Sequence, residues 1–472
     1  MEAQIQQLLD IIEQQQKTIE TLTNRLEDAI SEISSLKDLL FNKKSEKMPR
    51  VKPKKKVSQK EIQKNRKTKR EEQKSLPAED IRLPVEAEKC VCDCCNPIQF
   101  KIIGSKVIER IEFIPSVLRR YKYHIQSKKC LCGKTIVSSE IPANVIDGGK
   151  YGPGFHANVV VSKVDDSLPL ERQAKILGRA GVEINKSTLC DIFHRSADLL
   201  VPIYRHLIDE IQKTDLVNAD ETRIKLQQPN QCKDAWMWTF LDKEQIIYSF
   251  STSRNGDKVL EILAGSEGLL QSDGYSGYQK GNRERIGCWA HARRYFFKAL
   301  KSKNAQQYFD WINELYHVEY LAIERDEVGS ENHLKLRQLR SKEILEKVKS
   351  QLEKDFGKSP PKSPYGRALT YLSNNWDSLQ VFLNDARVKL DNNISERALR
   401  IIAVGRKNYL FVGTKEAGEN LAVLQSLVQT CKLHQVNPQK YLADVLIRIQ
   451  THPQSKIAQL HPKNWKNLFS DG

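Results

Sequence analysis

An apolar seam through the first 42 residues is the strongest constraint on how this chain folds. The first heptad positions are Ile5, Ile12, Ile19, Leu26, Ile33 and Leu40, and the fourth positions are Leu8, Gln15, Leu22, Ala29 and Leu36. Residues 1–42 contain no Pro or Gly, and β-branched first positions with Leu at the fourth favour a parallel two-stranded coil. We therefore predict a coiled coil over 1–42 that makes the chain a homo-oligomer. A single amphipathic helix packed on the rest of the protein is the alternative.

A basic segment follows this predicted coil. Residues 43–74 hold fifteen Lys or Arg and four Glu, and so carry most of the net charge of +17. Such a tract gains affinity for nucleic acid by releasing phosphate counterions. We predict a basic linker over 43–80 that contacts DNA, with Lys54, Lys55 and Lys56 as candidates. A solvated linker that only keeps the protein in solution is the alternative.

Six of the ten Cys lie close together in the sequence. The cluster comprises the pairs Cys92/Cys95 and Cys130/Cys132 and the extra thiols Cys90 and Cys94. The apolar runs are too short to cross a bilayer and the N-terminus does not read as a signal peptide, which predicts an intracellular protein. Clustered Cys in an intracellular chain indicates metal rather than disulfides, and Cys pairs separated by a strand hairpin suit a structural Zn²⁺. We predict a small zinc-binding domain over 81–137, with reduced, metal-free thiols as the alternative.

Two helical patterns joined by a turn at Gly181 occupy the next region. They run from Pro169 to Arg179 and from Lys186 to Leu200, in a pattern typical of a helix-turn-helix. We predict a helical region over 138–210 that is a candidate for DNA binding. An ordinary helical hairpin fits the sequence equally well.

From residue 215 the sequence changes to β-rich runs, and a long, charged helical stretch follows at 290–350. We predict a mixed sheet flanked by helices over 211–420, interrupted by a helical insertion at about 298–385. A helical region over 421–472 completes the chain.

Three acidic residues stand out by their context. Asp220 and Asp273 each end a strand-like run, and Glu396 lies in the first turns of a helix that a preceding Asn can cap. If these carboxylates converge, they form the oxygen-ligand site that Mg²⁺ or Mn²⁺ prefers. Spacing alone does not distinguish three acids among 59 from solvated surface residues.

A series of segments, in order along the chain, resembles the insertion sequence 66 family of transposases. The segments lie at 40–47, 162–173, 219–222 (Ala-Asp-Glu-Thr), 272–275 (Ser-Asp-Gly-Tyr), 287–294 (Gly-Cys-Trp-Ala-His-Ala-Arg-Arg), 391–400 (Asp-Asn-Asn-Ile-Ser-Glu-Arg-Ala-Leu-Arg), 404–411 and 464–466. Each motif is weak alone, but the ordered series covers more than 400 residues. The resemblance implies a multidomain α+β protein whose catalytic core is ribonuclease-H-like.

The resemblance also implies the catalytic residues. It assigns Asp220, Asp273 and Glu396 as the catalytic triad of a DDE-type transposase and as the ligands of Mg²⁺ or Mn²⁺. Two neighbours compete for these roles. Glu221 would point to the opposite face of a strand from Asp220, and Asp391 is better suited to capping the helix.

Family members carry a small zinc-binding domain, which implies Cys92, Cys95, Cys130 and Cys132 as the Zn²⁺ ligands. The second pair is tighter than the usual two-residue gap, so Cys90 or Cys94 could replace a member of the first pair.

Basic residues near the implied triad are candidates for DNA contact. These are Arg293, Arg294, Arg406 and Lys407, with exposed, solvated side chains as the alternative. His291 could orient a phosphate or support the metal shell, and a structural His at a helix start fits equally well.

The predicted reaction is cleavage at the ends of the insertion element and strand transfer into target DNA by two-metal phosphoryl transfer. Two other functions are considered: a non-catalytic zinc-dependent dimeric DNA-binding protein, and a nuclease of the same fold without strand transfer. The expected partners are DNA, a second copy of the chain and small accessory proteins encoded by the element. The expected location is the bacterial cytoplasm, in association with the nucleoid and not with a membrane.

Overall fold

The computed structural model describes residues 142–146, 149–302 and 304–469, two short strands at 127–129 and 136–138, and the single residues Gln15, Leu118 and Tyr121. Apart from Gln15, the predicted coiled coil lies outside the described residues. So do the basic linker with Lys54, Lys55 and Lys56, and the cysteines Cys92, Cys95, Cys130 and Cys132. These assignments stay predictions.

The described residues form a mixed α+β structure. In chain order its elements are β1 (Ser127–Lys129), β2 (Ile136–Ser138), α1 (Pro153–Val164), α2 (Leu170–Arg179), α3 (Lys186–Gln212), β3 (Leu216–Gln228), β4 (Gln231–Leu241), β5 (Ile246–Ser251), α4 (Asp257–Leu263), β6 (Leu269–Gln271), β7 (Glu284–Ile286), α5 (Trp289–Lys298), α6 (Ala305–Glu324), α7 (Glu331–Leu336), α8 (Lys342–Asp355), α9 (Pro364–Asn374), α10 (Trp376–Gln380), α11 (Asn393–Tyr409), α12 (Lys415–Leu433), α13 (Pro438–Arg448) and α14 (Pro462–Phe469). None of the described helices is both long enough and apolar enough to cross a membrane.

The chain divides into two compact units. The sheet unit includes Leu207–Ala403, and the helical unit includes the described parts of Pro53–His206 and Val404–Gly472. Each unit is described by itself below.

One open, five-stranded sheet in the order β5-β4-β3-β6-β7 organises the sheet unit. Strands β3, β4 and β5 pair antiparallel, whereas β3, β6 and β7 pair parallel. The sequence had predicted that a strand ends at Asp220, and this is wrong. Strand β3 runs on to Gln228, because β4 pairs with it antiparallel as far as Gln228 while β6 pairs with only its first three residues.

Helices occupy the chain between β7 and α11, where the sequence predicts a helical insertion. Helices α6 to α10 lie within the predicted range 298–385, and Pro360, Pro361 and Pro364 fall at the break between α8 and α9. The apolar faces of these helices share one buried core with α5, which includes Trp289, Phe296 and Tyr308. The insertion is therefore packed on the sheet unit as part of its core.

Arg337 joins this insertion to the segment that leads into α11. Its guanidinium is 1% exposed and donates to both carboxylate oxygens of Glu319, at 2.8 and 2.6 Å. It also donates to the main-chain oxygens of Phe382, Asp385 and Val388 at 2.9 to 3.0 Å. One buried cation therefore satisfies a carboxylate and three carbonyls at once.

Three helices form the core of the helical unit before residue 207. Val159 of α1, Leu170 and Leu177 of α2, and Leu189 and Ile192 of α3 are its buried apolar residues. The predicted order of helix, turn and helix is present. The turn contains Gly181 with φ of 85°, a left-handed conformation that glycine adopts without strain.

The second helix of this pair is longer than predicted. Helix α3 continues past Leu200 to Gln212 and contains Pro202. Its apolar stripe continues at four-residue spacing through Ile203, Leu207 and Ile211, all fully buried, and this packing outweighs the hydrogen bond that the proline removes.

The buried contacts of Arg337 predict a large effect on stability. We expect Arg337→Leu to lower the free energy of unfolding by about 3–5 kcal/mol, because Glu319 loses its paired cation and three main-chain carbonyls lose a donor. Guanidinium denaturation of the purified protein measures this. Lys335→Leu is the matched control, since its ion pair with Glu331 is exposed, and we expect no change beyond experimental error. Equal stability losses in both variants would contradict the role assigned to Arg337.

Candidate active site

The register of two parallel strands places Asp220 and Asp273 at equivalent positions. The last paired residues are Asn218 of β3 and Gln271 of β6, so each Asp lies two residues beyond the same pair. Because side chains alternate along a strand, Asp220 projects on the same side of β3 as Asn218. Asp220 therefore lies within β3 and Asp273 in the turn after β6, at equivalent positions beyond the parallel pairing.

An amide network fixes the start of α11 against these strands. The Asn218 amide nitrogen donates to Gln271 Oε1 at 2.9 Å and to Asn392 Oδ1 at 3.1 Å. The Asn392 amide nitrogen donates to the main-chain oxygen of Ala219 at 2.7 Å. Since Glu396 lies in the first turn of α11, this network holds the helix turn that carries Glu396 beside β3.

Asp220 is partly buried in an acidic environment. Burial, followed by the negative charges of Glu221, Asp273 and Glu396, raises its pKa to about 8. Its Oδ1 accepts the Glu221 main-chain N–H at 2.8 Å. The pKa therefore reports that these four carboxylates lie within electrostatic range of one another.

Asp273 lies in the turn after β6. Its Oδ1 accepts the main-chain N–H of Tyr275 at 2.9 Å, and its main-chain oxygen accepts from Arg285 Nη2 at 3.1 Å. These contacts fix the turn while leaving the second carboxylate oxygen of Asp273 without a hydrogen bond in the described part of the chain.

Glu396 faces two residues of α5. Arg294 Nη2 donates to Glu396 Oε1 at 3.3 Å, and His291 Nε2 lies 3.9 Å from the same oxygen. Burial and the nearby charge of Arg294 lower the pKa of His291. Its Nδ1 is buried and has no hydrogen-bond partner among the described residues, and the lowered pKa favours the neutral imidazole next to Glu396.

The two competing acids have other partners. The Glu221 carboxylate is 2% exposed, forms an ion pair with Arg254 and accepts the Tyr278 hydroxyl. Asp391 Oδ1 accepts the main-chain N–H of Asn393 at 3.1 Å, at the start of α11. This agrees with the expectation that Asp391 caps the helix.

The four basic residues predicted to contact DNA differ in their burial and in the unit to which they belong. Arg293 is 5% exposed, donates to Asn313 Oδ1 at 2.8 Å and stacks over Phe309, so we do not include it among the proposed DNA contacts. Arg294 is partly exposed beside Glu396. Arg406 and Lys407 lie in the last turn of α11 and belong to the helical unit.

Within the described ranges, no group of three His, Cys, Asp or Glu side chains is close enough to hold a metal ion. The donor chemistry nevertheless fits a hard cation, since Asp220, Asp273 and Glu396 are carboxylates. Each uses one oxygen for the contacts above, and the other makes no hydrogen bond in the described residues. Their mutual repulsion, which adds to burial in raising the pKa of Asp220, is what a bound cation would relieve.

The sequence analysis missed the amide network. Asn218 and Gln271 are polar residues inside short apolar runs, Leu-Val-Asn-Ala and Leu-Leu-Gln, and that pattern was the available signal. It also missed β7, whose three residues, Glu-Arg-Ile, show no β pattern and pair only because β6 lies beside them.

Comparison with known proteins identifies the family. The profile described as "Transposase IS66 family" matches residues 148–420, and the one described as "IS66 C-terminal element" matches residues 426–462. The chain is also similar to uncharacterized proteins of Sinorhizobium fredii (strain NBRC 101917 / NGR234). The protein y4jD is 32% identical over 83% of this chain and 81% of its own length. The protein y4qI is 32% identical over 79% of this chain and 73% of its own length. The first profile covers more than half of the chain, and with these relatives it shows that the chain belongs to the IS66 family of transposases.

Proposed function

We propose that this transposase cleaves DNA at the ends of its element and joins them to target DNA, using Asp220, Asp273 and Glu396. The observation that supports this most directly is the acidic cluster. Asp220 and Asp273 follow the same register pair of two parallel strands, and Glu396 starts the helix fixed beside them. The predicted ribonuclease-H-like core over 211–420 is part of the proposal, and the mixed five-stranded sheet supports it.

Mg²⁺ or Mn²⁺ is the proposed cofactor, held by the three carboxylates. When bound, two such ions supply an activated attacking oxygen and neutralise charge on the leaving oxygen. The protein contributes ligands held in place by strand register and by the amide network. Arg294 and the neutral His291 orient Glu396 from the α5 side.

DNA binding is proposed for several regions. Near the cluster, Arg294 is partly exposed and carries a charge that can meet a phosphate. Arg406 and Lys407 on α11, the helix-turn-helix-like pair α2 and α3, and the basic residues Lys54, Lys55 and Lys56 complete the proposal. A site that acts on chromosomal DNA belongs in the bacterial cytoplasm, where we place the protein in association with the nucleoid.

Three parts of the proposal concern assembly. We propose that residues 1–42 form a coiled coil that joins two chains. We propose a zinc domain with Cys92, Cys95, Cys130 and Cys132 as ligands. Accessory proteins encoded by the element are the third proposed partner.

Removal of one carboxylate tests the catalytic assignment. We expect Asp220→Asn, Asp273→Asn and Glu396→Gln each to slow Mg²⁺-dependent cleavage of element-end DNA by about 1,000-fold or more, because each removes a cation ligand. Binding of the same DNA, measured by gel shift in Ca²⁺, should change by less than about threefold. Asp215→Asn is the matched control, since Asp215 is exposed and precedes the sheet, and it should cleave normally.

The same assay separates the rival functions. A non-catalytic DNA-binding protein would bind the ends and never cut them, even as wild type with Mg²⁺ or Mn²⁺. A nuclease would cut the ends but would fail to join pre-cleaved ends to target DNA. Joining of pre-cleaved ends by wild type, lost in Asp273→Asn, is the expected result.

The raised pKa of Asp220 predicts how stability depends on pH without metal. The folded protein keeps a proton on Asp220 up to about pH 8, whereas the unfolded chain releases it near the ordinary pKa of 3.8. The stability contributed by this proton is complete below about pH 4 and is lost as the pH rises through 8.

We therefore expect the Tm of Asp220→Asn minus that of wild type, measured in EDTA, to grow by about 2 °C or more between pH 5 and pH 9. Added Mg²⁺ should raise the Tm of wild type more than that of the variant. A Tm difference between wild type and Asp220→Asn that stays constant with pH would contradict the raised pKa of Asp220.

A further inference from the structure

Arg254, in the loop after β5, lies between the chain segments that carry Asp220 and Asp273. Its Nε donates to Glu221 Oε1 at 2.7 Å, and its Nη2 contacts the same oxygen. The guanidinium lies over the ring of Tyr275, 4.1 Å from the ring centre. Arg254 thus touches the residue after Asp220 and the residue two positions after Asp273.

These contacts fix the arginine from both sides. The Tyr275 hydroxyl donates to the main-chain oxygen of Arg254, and the Tyr275 main-chain N–H donates to Asp273 Oδ1. On the other side, the Glu221 carboxylate is buried and accepts the Tyr278 hydroxyl. The guanidinium is therefore positioned relative to both proposed catalytic Asp residues.

A close backbone approach makes this arrangement rigid. Gly256 has φ of 80°, and a Cβ there would lie 2.4 Å from the main-chain oxygen of Gly277. A Cβ on Gly277 would in turn lie 2.3 Å from the ring of Tyr275. The loop carrying Arg254 and the turn carrying Tyr275 consequently touch with no side chain between them.

Part of the guanidinium remains available to a ligand. The Arg254 side chain is 44% exposed, and its Nη1 makes no hydrogen bond to any described residue. An arginine held by one carboxylate and stacked on an aromatic ring presents its free N–H groups in a fixed direction. A phosphate takes such groups as paired, charge-assisted hydrogen bonds.

The negative charge of Glu221 is unfavourable for the neighbouring Asp220, and its contact with Arg254 gives a reason for its presence. Its charge is the largest electrostatic cause of the raised pKa of Asp220, so its presence works against the ionised acid cluster. Its carboxylate is occupied by Arg254 and Tyr278, which makes it a poor cation ligand. The contacts of Glu221 therefore support a role in holding Arg254 in place.

We propose that Arg254 binds a DNA phosphate next to the scissile bond, and that Glu221 and Tyr275 position its guanidinium for that contact. This inference rests on the proposed function. It adds a phosphate contact outside the three carboxylates and assigns Glu221 a positioning role.

Element-end DNA with single methylphosphonate linkages tests the contact, because each linkage removes the charge of one phosphate. With wild-type full-length protein we expect one linkage beside the cleavage point to slow cleavage by about 10- to 100-fold. With Arg254→Ala, native DNA should be slowed by a similar factor, and that same linkage should cause less than about threefold further loss. The rate at which Arg254→Lys cleaves native DNA should lie between those of wild type and Arg254→Ala, since lysine keeps the charge but loses the planar guanidinium.

Arg223→Ala is the matched control. Arg223 is an exposed arginine on β3 that pairs with Asp234, and its variant should keep the wild-type sensitivity at every linkage. Each comparison is made between DNAs within one variant, so a stability loss in Arg254→Ala does not affect the result. Full sensitivity of Arg254→Ala at every linkage would overturn the proposal.

Glu221→Gln tests the positioning role. It removes the charge that orients Arg254, and we expect its sensitivity to that linkage to fall by at least about threefold. Glu221→Asp should restore part of the sensitivity. Unchanged sensitivity in Glu221→Gln would overturn the role of Glu221. If wild type does not cleave even native element-end DNA, the proposed function fails. If wild type cleaves it, but the effects of the linkage and of Arg254→Ala on the cleavage rate simply add, only the role of Arg254 is refuted.

Discussion

The candidate site depends on the hydrogen bonds of Asn392, which hold the start of α11 beside β3. More than 120 residues separate Asp273 from Glu396, and a whole helical insertion is folded between them. Asn392 joins the start of α11 to the side chain of Asn218 and to the backbone of β3, and so brings Glu396 near these strands despite its distance in sequence. Because the linked groups are neutral amides, they fix the helix without adding charge to an acidic environment.

The charges around the cluster are only partly balanced. Arg254 neutralises Glu221 and Arg294 neutralises part of Glu396. Asp220 and Asp273 form no ion pair in the described portion of the chain, and burial followed by the neighbouring negative charges raises the pKa of Asp220. The two arginines thus compensate the outer acids and leave the two strand-associated acids for another positive charge. This division reduces the repulsion among four carboxylates that lie within electrostatic range of one another.

Several helices and strands could be predicted from the sequence, because apolar periodicity favours them locally. The strand-like runs at Asp220 and Asp273 and the helical stretch after residue 290 were found in this way. The true length of β3 was not, since its second half alternates with exposed polar residues and depends on pairing with β4. The burial of Arg293 could not be predicted either, because neighbouring arginines in one motif look alike until α6 packs against one of them.

The strand that carries Asp220 differs mechanically from the turn that carries Asp273. Asp220 has strand on both sides and is paired with Thr239 of β4, so its backbone moves only with the sheet. Asp273 is anchored through a turn, where small changes of backbone angle shift a side chain at low cost. In the proposed reaction, cleavage and joining would present different attacking oxygens to one site. Asp273, in its turn, could then adjust between the two steps, while Asp220 would stay fixed with the sheet.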